Sequence, residues 1–398
     1  VSQNDANPAE AGARLLDKRR PGPAMAALRE ALSRNPEDHD SRLRLGRAHL
    51  MAADPFGAVS VLEELYACAP DHPQAAEALA GAYRRDARHH DVLALAAKIA
   101  APSVQMRYDV GMALSALGRA AEALAAFDAA LLGKPDLAAA WYASHGPALD
   151  ELGWNAAHER LLKASACSGA NRKYAGMLAA YQVLLEPGNA TGHIDGAPSA
   201  HRYLAEGAAA ILPHFGREHR LFGVSGNLLR WVLGQARQPG LVLEFGVRRG
   251  ASLTILAETA GQEVHGFDSF EGLPENWVNT QSGVLTTGSR LPDVPANARL
   301  HAGWFEDSLP PFFAAHPGPL RFANIDSDIY SSACTVLAAL EDRLRPGSIL
   351  VFDEFIGNRS WRDDEFRAFH EFAARTGWSW RIIAAGPATK QVAVLLGA

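Results

Sequence analysis

Apolar and small residues recur with helical spacing through the first 170 positions, under an outer period of 34. Pro36 and Pro70 stand 34 positions apart, as do Pro135 and Gly169. The same arrangement precedes each of these helix-stopping residues. Ala24, Ala58, Ala123 and Ala157 lie twelve positions earlier, Leu28, Leu62, Phe127 and Leu161 eight earlier, and Ala31, Leu65, Ala130 and Ala164 five earlier. These positions share one helical face in the order small, large, small, which lets a helix approach a neighbour closely and seat one large side chain in it. Gly46, Ala80 and Gly111 supply small residues at matching places in the other helix of the unit. Pro70 and Pro135 are 65 apart, three short of two periods, so the unit around Arg88 to Pro102 is expected to be degenerate. The pattern predicts four or five helix pairs between about residues 8 and 170.

Past Asn171 the period is lost. The stretch "LLEPGNATGHIDGAPSAH" is dense in the glycine, proline and polar residues that favour loops. Two apolar-periodic segments follow, Tyr203 to Phe215 and Leu221 to Gln235, and both are expected to be helices. Beyond Gly240, short β-rich runs alternate with helical patterns: "LVLEFGV", "EVHGFDS", "RLHAG", "LRFANID", "SILVFDEF", "SWRIIAA" and "QVAVLLG". Such alternation predicts a doubly wound, mainly parallel sheet with helices on both faces. Only "GPATK" separates the last two runs, too little for a crossover, so they are expected to form an antiparallel hairpin at one edge of seven strands. The expected domains are a helical repeat module over 1–170, a connector with cap helices over 171–239, and an α/β domain over 240–398.

Composition narrows the function classes. A 398-residue chain that is 48% hydrophobic and 21% charged has the balance of a soluble globular protein. Its net charge of −6 gives no reason to expect binding to phosphate backbones, so nucleic acid is not expected as a partner. Cys68, Cys167 and Cys334 stand alone, without the spacing of a zinc site or a disulfide framework. The opening "VSQNDANPAEAGARLL" lacks a signal-type apolar core, and no window of about 18 apolar residues occurs, so a cytoplasmic chain without a membrane span is expected.

In open parallel sheets the ligand sits outside the carboxyl ends of the strands, so candidate residues should directly follow each run. After the first run comes Glu244-Phe245-Gly246-Val247-Arg248-Arg249-Gly250, an E-x-G-x-x-x-G turn in which Gly246 and Gly250 let the backbone approach a ligand. Its spacing differs from the G-x-G-x-x-G that cradles a dinucleotide pyrophosphate. The second run ends in Asp268, a carboxylate able to accept hydrogen bonds from both hydroxyls of a ribose. Asp326-Ser327-Asp328 and Asp353-Glu354 follow the fourth and fifth runs, and neighbouring strands would bring these four carboxylates near one point. Like charges that close raise one another's pKa, and a hard divalent cation such as Mg²⁺ would relieve them. His193, His201, His214 and His219 in the connector are read as surface or packing residues.

The 34-residue period resembles the tetratricopeptide repeat, an all-α solenoid of helix pairs whose groove commonly takes peptides. "GFDSFEGLPENW" closely resembles the macrocin and mycinamicin O-methyltransferase type, which methylates sugar hydroxyls with S-adenosylmethionine and a divalent metal. "LEFGVRRGASL", "HAGWFEDSLP" and "NIDSDIYSSACTVLAALEDRLRPGSILVFDEF" resemble the same family in the right order, together covering about residues 240–375. The resemblance implies a class I methyltransferase fold, a Rossmann-like sheet of seven strands ending in the antiparallel hairpin. It implies that Glu244, Gly246, Gly250 and Ser252 hold the methionine end of the cofactor, and that Asp268 takes the ribose. Ser269, Phe270, Gly303 and Trp304 would flank the adenine, and Asp326, Asp353 and Glu354 would hold Mg²⁺. Asp328 would face the acceptor hydroxyl as first candidate for the base, with Asp326 as second. One departure stands out: where this family has two aspartates, the chain has Asp353-Glu354. The activity expected is O-methylation of a sugar hydroxyl of a glycan, glycolipid or glycosylated metabolite. The alternatives are a protein or peptide methyltransferase that docks its substrate in the repeat groove, and an interaction scaffold whose methyltransferase fold is inactive.

Overall fold

The computed structural model describes residues 7–277 and 282–397. The first expected segment thus begins, for structural purposes, at Asn7. The chain divides into two compact units, the first ending at Ala113 and the second beginning at Leu114.

Among the described residues, ten helices follow one another in pairs: α1 (Pro8–Asp17) and α2 (Pro21–Arg34), α3 (His39–Met51) and α4 (Pro55–Cys68), α5 (Ala75–Arg85) and α6 (His89–Ala96), α7 (Val104–Ala116) and α8 (Ala120–Gly133), α9 (Ala138–Leu152) and α10 (Trp154–Ala166). Every residue of the expected small, large, small face is buried, from Ala24, Leu28 and Ala31 through Ala157, Leu161 and Ala164, with none above 6% exposure. The pairing logic is visible at Gly12 and Gly46. A Cβ on Gly12 would lie 2.6 Å from Leu28 Cγ, and one on Gly46 2.5 Å from Leu62 Cγ. Leu28 on α2 and Leu62 on α4 therefore fill the space that glycine leaves on α1 and α3. The degenerate unit shows as a short helix, α6, of eight residues.

The second unit continues through α11 (Lys173–Leu185), α12 (Ala190–Gly196), α13 (Arg202–Ile211), β1 (Phe215–Leu221) and α14 (Ser225–Gln235). The α/β part follows: β2 (Leu241–Phe245), α15 (Ala251–Ala260), β3 (Val264–Asp268), β4 (Ala298–Ala302), α16 (Phe305–Ala315), β5 (Leu320–Ile325), α17 (Tyr330–Leu340), β6 (Ile349–Phe352), α18 (Glu365–Thr376), β7 (Trp380–Ala385) and β8 (Val392–Leu396). All seven expected runs form strands of one sheet, in the order β1-β7-β8-β6-β5-β2-β3-β4. Helices cover the sheet, and the apolar strands β2, β5 and β6 carry the core.

Two expectations about the connector and the hairpin are corrected. β7 and β8 are antiparallel, but β8 lies inside the sheet between β6 and β7. The edge beyond β7 is taken by β1, an eighth strand that pairs with it in parallel through Phe215↔Ile382 and Leu221↔Ala385. β1 was legible only as the end of a helix and a loop because "FGREHRL" has four successive exposed positions and no apolar alternation. An edge strand needs none, since one side of it faces solvent. The helix expected to reach Phe215 instead stops at Ile211, and Pro213 has no N–H with which to continue the ladder.

Within the second unit the repeat-like helix α9 is fastened to α14. Asp150 accepts hydrogen bonds from the backbone N–H of Gly223 (2.7 Å) and Val224 (3.1 Å) and from Nδ2 of Asn227 (2.8 Å). Gly146 and Gly223 meet backbone to backbone, so closely that a Cβ on Gly146 would lie 2.4 Å from the Gly223 carbonyl oxygen. No helix among the described residues is long and apolar enough to cross a membrane.

Candidate functional site

At the carboxyl ends of β2 to β5 lies a cavity of about 450 Å³. Of the residues singled out from the sequence, Gly246, Asp268, Ser269, Gly303, Trp304, Asp326 and Asp328 line it. Gly246 has φ +94°, and a Cβ there would sit 1.9 Å from the Asp326 carbonyl oxygen, so the β2 turn touches the end of β5 only because the residue is glycine. Gly250, at φ +77°, begins α15. Asp268 ties the turns together: Oδ2 accepts from the N–H of Val247 (2.8 Å) and Arg248 (2.7 Å), and Oδ1 from that of Phe270 (2.6 Å).

Glu244, Gly250, Ser252 and Phe270 stand behind this lining. Glu244 is fully buried on β2, hydrogen-bonded to Ser252 and, through Oε1, to Nδ2 of Asn324 (2.9 Å). Its Oε2 has no protein partner, and burial pushes its carboxyl up to about 8. Phe270 is 2% exposed within the core cluster that contains Val247 and Leu253, and its ring belongs to the core instead of the cavity wall. Leu273, Leu285 and Phe305 supply apolar wall in its place.

The acidic groups after β5 and β6 do come together electrostatically. Burial, then Asp353 and Asp328, hold the Asp326 carboxyl well above the usual range. Burial, then Glu354 and Asp353, raise Asp328 to about 7, and burial with Glu354 raises Asp353 to about 7. Asp328 has a left-handed backbone, φ +60°, uncommon for a residue with a side chain and a mark of a locally strained turn. Asp353 and Glu354 do not line the cavity. Oδ1 of Asp353 accepts from Nε2 of Gln391 at 2.7 Å.

Two charged residues of this cluster escaped the sequence reading. Glu365, fully buried at the start of α18, accepts from the N–H of Glu354 (2.9 Å) and of Ser327 (3.2 Å), tying the two acidic turns to each other. Lys390, in the β7–β8 turn at φ +67°, forms an ion pair through Nζ with Oε1 of Glu354. The nearby Asp353 and Asp328 help hold its ammonium charged. Oε2 of Glu354 accepts from Asn358 at 3.1 Å. No group of three or more His, Cys, Asp or Glu side chains among the described residues is arranged to hold a metal ion. His193, His201, His214 and His219 do not line the cavity; His214 stacks on Trp380 and His219 on Phe215.

Comparison with known proteins places two regions. Residues 243–355 match the family described as methyltransferase domain, and residues 15–82 match the tetratricopeptide repeat. A curated relative from Streptomyces olivaceus, 8-demethyl-8-(2,3-dimethoxy-alpha-L-rhamnosyl)-tetracenomycin-C 4'-O-methyltransferase, is 31% identical over 169 residues. The match covers 35% of this chain and 60% of that relative's length, so it spans less than two thirds of the relative. Among solved structures, the calicheamicin methyltransferase CalS11 is 20% identical with a TM-score of 0.37, covering 56% of this chain and 92% of its own. A thermophilic tetratricopeptide protein of Thermus thermophilus is 20% identical with a TM-score of 0.39, covering 45% and 98% respectively.

Proposed function

From a chain that joins tetratricopeptide repeats to a methyltransferase domain, we propose that the cavity binds S-adenosylmethionine and that the chain O-methylates a sugar hydroxyl of a glycan, glycolipid or glycosylated metabolite. The observation that carries this reading is Asp328, a carboxyl on the cavity wall, set on a left-handed turn, whose pKa is lifted to about 7. The similarity to a rhamnosyl-directed O-methyltransferase supports a sugar as acceptor. A cytoplasmic setting, and a protein partner for the repeats, belong to the same reading.

The residues present suit the cofactor. Glu244, behind the lining, keeps one carboxyl oxygen without a protein partner, Gly246 leaves the backbone open, and Asp268 presents its carboxylate at the β3 end. Ser269, Gly303 and Trp304 would take the base, with Gly250 and Ser252 shaping the turn behind. The sulfonium cofactor supplies an electrophilic methyl group. The protein's task is then to align an alcohol with it and to accept the alcohol's proton. Asp328 does this best: it lines the cavity, and a carboxyl with a pKa near 7 is about half ionised at neutral pH and basic enough in that form to accept a proton. Burial, then the neighbouring Glu354 and Asp353, keep Asp328 basic.

The Mg²⁺ assignment to Asp326, Asp353 and Glu354 does not fit the arrangement. Glu354 is paired with Lys390, and the three side chains form no ligand group. The cation beside this cluster is Lys390, paired with Glu354. The test is methyl transfer to a panel of glycosylated acceptors with wild type and Asp328→Asn, each in EDTA and in Mg²⁺. Cofactor binding retained and transfer lost in Asp328→Asn is the expected result. Undiminished transfer by the variant would overturn the role of Asp328, and turnover abolished by EDTA and restored by Mg²⁺ would overturn that of Lys390.

A further inference from the structure

Beside the cavity lies a second hollow of about 420 Å³, walled by Trp277 and Tyr330 and by the polar side chains of Arg359, Asp363 and Asp364. The two spaces share Glu275 as a common wall residue. Ser331 of the first, next in sequence to Tyr330 of the second, donates to Oε1 of Glu275 at 2.7 Å. Asp328 lies on the first wall and Ile329 on the second, so the strained turn that carries the proposed base separates the two spaces.

The walls are fixed by their own hydrogen bonds. Nε1 of Trp277 donates to Oδ2 of Asp364 at 3.3 Å, and the Ser360 hydroxyl donates to the same oxygen. The Tyr330 hydroxyl donates to Glu371 at 2.6 Å, and the Arg367 guanidinium lies 4.5 Å over the Tyr330 ring. An indole held by its N–H can offer its π face to the C–H face of a pyranose, while carboxylates and a guanidinium beside it bond hydroxyls.

Charge narrows the ligand further. The lining of the second hollow carries three carboxylates, Glu275, Asp363 and Asp364, against the guanidinium of Arg359, while Arg367 on the Tyr330 ring is paired with Glu371. The first adds Asp268 and Glu306, with Asp328 when ionised, against Arg248. A phosphorylated acceptor would need a cationic or N–H-rich cradle, and this lining repels anions.

Building on the sugar-methylating reading above, we propose that the hollow between Trp277 and Tyr330 is the acceptor subsite, and that it takes a neutral, unphosphorylated glycosyl unit in preference to a nucleoside diphosphate sugar. The acceptor ring lies on Trp277, and a ring hydroxyl reaches across the dividing turn to Asp328.

The test pairs aryl glycosides of neutral hexoses with the nucleoside diphosphate derivatives of the same hexoses, using the full-length chain at saturating S-adenosylmethionine. Binding is read separately by tryptophan fluorescence. Neutral glycosides are expected to quench wild type, to lose that response in Trp277→Ala, and to recover most of it in affinity in Trp277→Phe measured by calorimetry. Trp277→Ala should raise the acceptor KM at least tenfold with kcat at saturation and cofactor Kd unchanged. Asp363→Lys, at an exposed position, should shift the kcat/KM ratio at least fivefold toward the diphosphate sugar, and most at low ionic strength. A diphosphate sugar used as well as or better than its neutral partner by wild type would overturn the inference and leave sugar methylation standing. Glycoside binding through Trp277 without methyl transfer would support the subsite and overturn the functional reading. No binding and no transfer across the panel would overturn both.

Discussion

In the repeat helices the buried Asp109 carboxylate lies 2.5 Å from Nε of Arg84 and 3.2 Å from Nε2 of Gln105, and only 1% of the residue is exposed. At the carboxyl end of the sheet, Glu244, Asp326, Asp328, Asp353 and Glu365 have carboxyls raised by burial and by one another, with Lys390 as a cation beside them. Burial lifts Asp109 as well, but its first electrostatic neighbour opposes the shift, whereas that of Asp326 adds to it. One region spends its buried charge on holding helices together. The other gathers carboxylates that raise one another's pKa, a pattern that clusters where acids and bases act on a substrate.

That contrast is broken most directly at Asp328. Asp328→Asn removes one of the repelling charges and the proposed base together. Methyl transfer should fall by about 10²–10⁴-fold, while the melting temperature holds or rises. A fall in both would mean that Asp328 holds the fold together as Arg84 and Asp109 do. Steady-state kinetics beside a thermal melt decides between these outcomes.

The glycines sharpen the comparison next. At Gly246 an added Cβ meets the Asp326 backbone carbonyl at 1.9 Å with φ at +94°, whereas at Gly46 it meets only the branched end of Leu62. Gly246→Ala should cost about 3 kcal/mol or more from strain and overlap, and abolish cofactor binding. Gly46→Ala should cost about 1 kcal/mol, because Leu62 can turn aside and alanine favours a helix. Denaturant unfolding and cofactor calorimetry on both variants measure the difference. Equal losses would show that the repeat interface is as unyielding as the turn.

Leu62→Ala tests the repeats from the other direction. It empties the fully buried position that fills the space beside Gly46 and should cost about 2–5 kcal/mol. The kcat of the folded protein should stay as in wild type. A lowered kcat at full folding would show that the repeats shape catalysis as well as stability.

Much of this contrast was legible beforehand, for reasons that differ between the regions. The repeat register survived intact because a helix face buried in every unit forces the same small, large, small residues at Ala24, Leu28 and Ala31 and their equivalents. The strands were legible because both faces of a parallel sheet are covered and each run must be apolar. Gly246, Asp268, Asp326 and Asp328 fall on the cavity wall because a doubly wound sheet opens its crevice directly after its strands. Phe270 looked like a cavity residue by the same rule, yet its left-handed backbone at φ +59° accompanies a ring buried in the core. Glu365 and Lys390 lie off that grammar, on a helix start and a hairpin turn, where an acid or a lysine ordinarily faces water. Only the fold brings them to Glu354. β1 escaped because polar edge strands carry no apolar period.

Asp150 offers the finest test, since it lies in the second unit but on a repeat-like helix and behaves like neither extreme. It has the hydrogen bonds of a structural carboxylate, two backbone N–H groups and Asn227, yet burial still lifts it to about 6. A carboxyl raised in the folded state keeps its proton to higher pH than the unfolded chain does. Its contribution to stability is therefore fully present below the unfolded pKa near 4 and is lost as pH rises through about 6. The loss amounts to about 3 kcal/mol at most by the size of that shift. Other raised carboxylates act in the same direction, so the wild-type profile alone does not isolate it. Asp150→Asn does, because the variant has no charge to bury while it retains an acceptor for one of the two N–H groups. Between pH 4.5 and 7.5, the stability of wild type should fall more steeply than that of Asp150→Asn in parallel urea titrations. Identical slopes would mean that the hydrogen bonds to Gly223 and Val224 hold the carboxylate ionised throughout, making Asp150 a plain helix fastener on the side of Arg84 and Asp109.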